Sequence, residues 1–482
     1  MNLQLDEMKR YFASCADVKF ESYRYRTRER TVSLTLIWCE GMANVKLISQ
    51  TVLPNLDKMV RRSGTAFEPD DYKILPFAPL SDHDPKALAS KVFNGELVVW
   101  HEETNKAYSL DIAEPPHREP DESNTEISIK GPRDGFTEEV GTNVALIRKR
   151  LRTESLHYEQ FMIGKRSKTK VALLYLYDVA NPDIIREARH RLNGIDIDSL
   201  TSSAQLETAM SDSSYSLFPL VDYIGRPDYA VESLVRGRFI IFTEGSPMAL
   251  IAPGNLTLML KSPEDSHFPY YFVFLERFLR LLGLIVAIFV PGFWVALVAF
   301  NLDQIPFPLL ATITNSRLGI PLSAPMEMFL MLGLFELFRE AGIRLPRAVG
   351  QTVAVVGGLI VGDAAIRAGI GSPTMLVAAA VTAVATFTLV NQSLSGTVSV
   401  LRLYVLILSS VFGMYGFFLG VMSIVLYVST LESFGHPLLA PISPPKFGEI
   451  LKALFAKPLN KMTKRPTMYD PIDDTRTGGE SQ

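Results

Sequence analysis

LLGLIVAIFVPGFWVALVAF, residues 281–300, is a run of twenty residues without a charge. As an α-helix it is about 30 Å long, the thickness of a bilayer's hydrocarbon core. Pro291-Gly292 at its middle predicts a kink. The chain changes character on either side of this run. Up to about Lys261 it is polar and alternating; beyond that no lysine occurs until Lys446. The bulk values of 482 residues, 21% charged and net charge −3 therefore average two unlike halves. They predict an α/β cytoplasmic region followed by an all-α polytopic membrane domain.

Downstream, Thr374–Leu394 and Leu403–Val428 are further apolar spans. Val349–Ile370 is a weaker one, because Asp363 and Arg367 lie near its end. Met326–Ile343 is amphipathic. Met328, Phe329, Met331, Leu332, Phe335 and Phe338 form its apolar surface, with Glu336, Arg339, Glu340 and Arg344 beyond it. Glu336–Arg339 and Glu340–Arg344 are opposite-charge pairs, and Glu336–Glu340 is a like-charge pair. That pattern predicts a helix lying in the membrane surface or roofing a water-filled vestibule.

Arg277 and Arg280 precede the first span, and the tail carries Lys446, Lys452, Lys457, Lys461, Lys464 and Arg465. Basic residues stay on the cytoplasmic side, so both termini are expected there, and the number of crossings is even. Four spans satisfy this, with 326–343 as the non-spanning helix. Met1–Asp17 lacks the basic start and apolar run of a signal peptide. The Pro- and Lys-rich tail is expected to be unstructured, a topology anchor able to meet anionic lipid.

Upstream of the spans the sequence repeats itself. TVSLTLIWCEGMAN (31–44) and KTKVALLYLYDVAN (168–181) are both strand-like runs ending in Ala-Asn and leading into a helical segment. Farther on, Ile74-Leu75-Pro76 answers Leu217-Phe218-Pro219, and Pro85 answers Pro227. Phe93-Asn94-Gly95 before Leu97–Trp100 answers Val235-Arg236-Gly237 before Phe239–Phe242. Two α/β subdomains of one plan, near 20–115 and 135–262, follow from the matching order. EPPHREPDESNT (114–125) reads as a linker between them. The expected division is 1–125, 126–265, 266–435 for the helical domain and 436–482 for the tail.

Motifs for catalysis are missing. There is no GxxxxGK[ST], no GxGxxG after a strand, no GxSxG and no HExxH. The seven histidines have no ligand spacing, and Cys15 and Cys39 have neither metal nor disulfide spacing. No enzyme activity, cofactor or metal is expected. Arg166, Lys168 and Lys170 form a small basic patch, read as a solvated strand edge rather than a nucleic-acid surface. In the apolar half, Gly358/Gly362, Ala364/Ala368 and Gly416/Gly420 are small-xxx-small pairs that let helices pack closely. Asp363 and Arg367, at i and i+4, can pair on one face, either at the membrane interface or toward a pore.

FELFREAGIRLP (335–346) followed by GQTVAVVGGLIVGDAAIRAGIGSP (350–373) resembles the A subunit of the GerA family of bacterial spore germinant receptors. GPRDGFTE (131–138), Asn143 with Leu146–Arg150, RPD (226–228), GSP (245–247) and SPED (262–265) match family signatures in order. The resemblance covers about 131–435. It implies a non-enzymatic subunit in the spore inner membrane, assembled as a homo-oligomeric ring, a pentamer, that forms a nutrient-gated ion channel. Its implied partners are a transporter-like B subunit and a lipoprotein C subunit. Asp363 stands where the family usually has Gln, and Arg367 where it has Glu. Ser266-His267 replaces a tyrosine pair and Leu322-Ser323 a Phe-Pro, so ion selectivity does not carry over.

The leading expectation is a channel whose path is lined by 349–371. Gly350, Gln351, Gly358, Gly362, Asp363 and Arg367 are candidate lining residues, and Val355 and Val361 a constriction that gates by dewetting. Glu336, Arg339, Glu340 and Arg344 are the candidate gating helix. A secondary transporter with substrate at the midplane is the alternative, as is an A-type paralogue that supports ion release without sensing a nutrient. An intramembrane enzyme using Glu336 or Glu340 lacks a companion nucleophile or metal set.

Overall fold

The computed structural model describes residues 5–26, 31–63, 75–80, 85–114, 130–213, 215–344, 362–454 and 464–476. Two five-stranded antiparallel sheets occupy the polar half. The first contains β1 (Val18–Arg26), β2 (Thr31–Cys39), β3 (Ala78–Leu80), β4 (Glu96–His101) and β5 (Lys106–Asp111), in the order β1-β2-β4-β5-β3. The second contains β6 (Leu156–Ile163), β7 (Thr169–Leu176), β8 (Asp222–Ile224), β9 (Phe239–Thr243) and β10 (Ala249–Ala252), in the order β6-β7-β9-β10-β8. Position for position, the two orders are the same.

The repeated residues do the same local work in each sheet. Asn44 and Asn181 end their runs as helix caps, each Oδ1 accepting a backbone N–H, from Leu47 and Asp183, at 2.9 Å. Gly95 and Gly237 sit at φ +92° and +89°, the left-handed turn that stops a helix and starts β4 or β9. A Cβ at Gly95 would also collide with the Met42 carbonyl. Both central strands are buried on both faces. On β7, Ala172, Leu174 and Leu176 point to helices Val140–Arg150 and Pro227–Val235. Val171, Leu173 and Tyr175 point instead to helix Pro182–Gly194. Cys15 and Tyr158 bridge the two halves, and Arg148 of helix 140–150 reaches Asp17 beside β1.

Beyond a short turn at Pro263–Ser266, helix Tyr270–Phe300 leads into the helical region. It and Ser393–Thr430 are the two helices, among the described residues, long and apolar enough to cross a membrane; Pro373–Phe387 is a shorter apolar helix. Small residues let them close in. Gly283 abuts Thr388 and the Ala385 carbonyl, and a Cβ at Gly292 would lie 2.7 Å from Val405 Cγ1.

Three expectations are corrected here, those for two spans and that for the tail. The span expected at 403–428 is not straight, because Gly413 adopts φ 60°, ψ −138° within Gln392–Thr430. The chain reverses there into two antiparallel arms, with Tyr404 Oη 2.9 Å from Ser423 Oγ. Gly416 and Gly420 line their seam against Leu408 and Val405. The span expected at 374–394 ends at Phe387, and Asn391 caps the next helix through the Leu394 N–H.

The helix read as lying in the membrane surface or roofing a vestibule packs by one face. It runs from Ala324 to Arg344 beside helix 373–387, with Met326, Leu330 and Leu337 exposed on its other side. Its Met328, Met331 and Leu332 pack with Val295, Val298, Met375 and Ala379. Its charges are tolerated because they find partners on other helices, as described below.

The third correction concerns the tail. Phe447–Leu454 is helical, and 464–476 docks on the second sheet. Tyr469 is 1% exposed there, and the Ile472 N–H donates to the Val179 carbonyl at 3.1 Å. An aromatic anchor and backbone hydrogen bonds outweigh the polar composition. The linker beyond Glu114, together with Lys457 and Lys461, lies outside the described residues.

Candidate functional site

Two groups of charged residues, among those described, join the helical region to the rest or to itself, one at the seam between the second sheet and the helices and one within the helical bundle. At the seam, the turn at 263–266 presents Asp265 to helix 270–300. Arg277 Nε and Arg280 Nη1 meet its two carboxylate oxygens at 2.7 and 2.8 Å, with the Asp265 side chain 5% exposed. Arg280 also bonds Glu276 at 3.0 Å and the Leu260 carbonyl at 3.3 Å. The arginines that sequence reading took as topology markers are therefore also the clasp between sheet and helix.

Beside them, Arg226 is buried between Asp228 (2.7 Å) and Glu264, and His267 Nε2 lies 3.0 Å from Asp228. Burial alone would raise the Asp228 carboxyl. Hydrogen bonds from Arg226 and His267 outweigh it and hold the group below its ordinary range. His267, one of the departures from the family pattern, thus joins this network through a hydrogen bond.

On the other side of the seam, Asn391 Nδ2 donates to the buried Asp222 on β8 at 2.6 Å. Tyr427 Oη accepts the Leu217 N–H at 2.8 Å, and Thr397 Oγ1 donates to the Leu217 carbonyl at 2.5 Å. Both arms of the 392–430 hairpin thus end on one loop of the second subdomain. Burial pushes the Asp222 carboxyl up to about 7 against the pull of Arg238.

Inside the bundle, Glu327 is fully buried at the start of helix 324–344. Its Oε1 accepts the Ser372 hydroxyl at 2.5 Å and the Ser372 N–H, so it sits on the N-terminus of helix 373–387, where the helix dipole favours a carboxylate. Arg317 Nε approaches its other oxygen at 3.7 Å. About two and a half turns on, Glu336 pairs with Arg339 and, at 3.1 Å, with Arg402 of the hairpin's first arm. Arg339 reaches Ser395 at 2.9 Å, and Arg402 reaches Thr386 at 3.3 Å. A cavity of about 190 Å³ opens beside these groups.

The residues predicted from sequence are not all brought together. Glu336 and Arg339 come together, joined by Arg402. Asp363 and Arg367 make the expected i, i+4 pair at 2.8 Å, with side chains 58% and 79% exposed. Gly362 packs on Leu376 of helix 373–387, and Glu340 is exposed. Gly350, Gln351, Val355, Gly358, Val361 and the Arg344 side chain lie outside the described residues. Sequence reading missed Arg317 and Arg402. Arg402 carried a signal, as the one charge between Asn391 and Glu432.

Comparison with known proteins gives a consistent result. Residues 6–468 match the profile described as Bacillus/Clostridium GerA spore germination protein. Spore germination protein XA of Bacillus anthracis is 43% identical over 476 residues, covering 97% of this chain and 95% of that protein. An uncharacterized membrane protein, YfkQ, of Bacillus subtilis is 36% identical, covering 79% and 74%. The crystal structure of the N-terminal domain of the A subunit of the Bacillus megaterium spore germinant receptor GerK3 aligns at 25% identity. It covers 52% of this chain and 94% of that one, with a TM-score of 0.39.

Proposed function

Because this chain belongs to the GerA spore germination family, we propose that it is the A subunit of a nutrient germinant receptor and acts as an oligomeric ligand-gated ion channel. In this reading it resides in the spore inner membrane with both termini cytoplasmic. It assembles as a homo-oligomer, a pentamer, and works with a transporter-like B subunit and a lipoprotein C subunit. Four membrane crossings belong to the same proposal.

The observation that carries it is the wiring of buried charge through an apolar bundle. Ionisable groups at bilayer depth are costly and mark ion paths or the devices that control them. Glu327 and Arg402 are such groups, Glu327 held by Ser372 at the cap of helix 373–387 and Arg402 by the half-buried Glu336 of helix 324–344. The Asp265 clasp and the Asp222–Asn391 contact tie the second sheet to those helices. Motion of the soluble half would therefore be transmitted to the bundle. Residues 349–371 form the conduction path, with Val355 and Val361 as its apolar constriction. Asp363 and Arg367 stand at its mouth, and the helix carrying Glu336, Arg339, Glu340 and Arg344 moves in gating.

The test is ion flux from liposomes holding the purified chain, with Val355→Ser and Val361→Ser beside the wild type. Raised leak from the variants supports the channel reading. Unchanged flux across the segment would place the path elsewhere, and substrate counterflow without conductance would make the protein a transporter.

A further inference from the structure

The cavity between helices 324–344, 373–387 and the first arm of the hairpin has an unusual lining. Three charged side chains border it, Glu336, Arg339 and Arg402, which sum to one net positive charge. The rest is mostly apolar, with Phe335, Phe338, Val384 and Phe387 among it. Arg402 is the deepest of the three, its side chain 5% exposed. Its Nη1 and Nη2 are used on Thr386, Ser399 and Glu336. Among the described residues its Nε has no acceptor, although the atom is out of contact with solvent.

A buried N–H of a charged guanidinium without an acceptor is a standing cost, larger than that of a neutral donor. On the cavity wall, among the described residues, Glu336 alone faces the two positive charges of Arg339 and Arg402. We propose that this cavity is a binding site for a small monocarboxylate with a compact apolar body. The carboxylate faces Arg402 and Arg339, cancelling the residual charge. The apolar body lies against Phe335 and Val384.

Size and polarity narrow the class. At roughly 30 Å³ per water, the cavity holds the equivalent of about six waters, the scale of a four- or five-carbon acid. Phosphate or sulfate would find too few donors and too much aromatic wall. Chloride would satisfy the charge but leave most of the apolar volume unfilled. Because the site joins three helices, occupancy would fix helix 324–344 against the hairpin.

The experiment uses the full-length chain in detergent and equilibrium dialysis with acetate, butyrate, hexanoate and decanoate, with chloride as a control. Saturable binding strongest for butyrate supports the proposal. No saturable acid binding, affinity still rising through decanoate, or chloride binding as tightly as butyrate would overturn it, the middle outcome pointing to a lipid tail. Arg402→Gln should weaken butyrate by about tenfold or more, the scale of a charge-assisted hydrogen bond. Should that variant fail to fold, Val384→Trp leaves the charges intact and fills the cavity from its rim. Loss of butyrate binding with an unchanged melting temperature supports the site, and wild-type affinity in a folded Val384→Trp protein refutes it. None of these readouts depends on channel activity.

Discussion

Arg148 and Asp17 form an ion pair across the boundary between the two α/β halves, Nη2 to Oδ2 at 3.0 Å, with side chains 0% and 4% exposed. Arg148 Nη1 also donates to the carbonyls of Thr153 and Leu156 at 3.0 and 3.1 Å, and the guanidinium lies 3.9 Å from the centre of the Phe93 ring. Removing one partner strands the other charge away from water. Arg148→Met should therefore cost about 3–5 kcal/mol, read as a drop in urea midpoint. Asp17→Asn in the same chain should restore part of it, because the orphan charge is then gone. Equal instability of the single and double variants would mean that packing on Phe93, not charge, is what Arg148 supplies.

Asp222 gives the junction a pH dependence. Its folded pKa, about 7, lies above its unfolded value, near 3.9 by the usual reference (roughly). The folded state therefore holds the proton more tightly. The stability contributed is complete below about pH 4 and is lost as pH rises toward 7. Asp222→Asn removes the titration while keeping an Oδ1 acceptor for Asn391. The variant should be more stable than wild type at pH 8, by about 1–3 kcal/mol, with the difference shrinking toward pH 5. Melting curves from pH 5 to 8 check this. Parallel pH profiles for the two proteins would show that Asp222 is not the group that titrates.

The docked tail makes a third testable contact. Arg238, 1% exposed, donates to the Pro253 carbonyl, Asn255 and Tyr469 Oη, with the Tyr469 ring 4.6 Å from its guanidinium. Tyr469→Phe removes one hydrogen bond to a charged group, a loss of about 1.5–3 kcal/mol. Tyr469→Ala adds a cavity and should cost about 3–5 kcal/mol. Limited proteolysis should then cut within 464–476 in the Ala variant but not in wild type. Equal cleavage of both would mean that the segment is not docked in solution.

These contacts also show where sequence reading succeeds and stops. The two sheets are legible because their signals are local. The Ala-Asn endings at 43–44 and 180–181 are helix caps, and Gly95 and Gly237 are turns demanding positive φ. The repeat implies that the two sheets share one strand order, though not which order it is. The helical region is read less well because its decisive contacts join distant positions. Glu327 meets Ser372, and Glu336 meets Arg402. Without those partners, charges on 324–344 read as a surface helix, and with them one face of the helix packs in the bundle. Hydropathy is blind to the reversal at Gly413, since a folded and a straight apolar run have the same composition. For the tail, proline and lysine content hid a single buried tyrosine.

That reversal is itself open to test. At φ 60°, ψ −138° Gly413 occupies backbone space that side-chain-bearing residues avoid, and a Cβ there would lie 2.8 Å from Phe300 Cγ. Gly413→Ala should therefore cost about 1–3 kcal/mol in backbone strain alone. The geometry can be read directly with cysteines at 404 and 423. In a straight helix nineteen residues span about 28 Å, out of reach of a short bis-maleimide, whereas in the hairpin the two positions face each other. Buried Cys15 and Cys39 compete poorly for the reagent, since burial pushes the Cys15 thiol up to about 11 and Cys39 well above its usual value. Rapid intramolecular cross-linking in the Tyr404→Cys/Ser423→Cys protein is expected, and Gly413→Ala should slow it. A folded double-cysteine protein that does not cross-link would mean that the 392–430 helix runs straight.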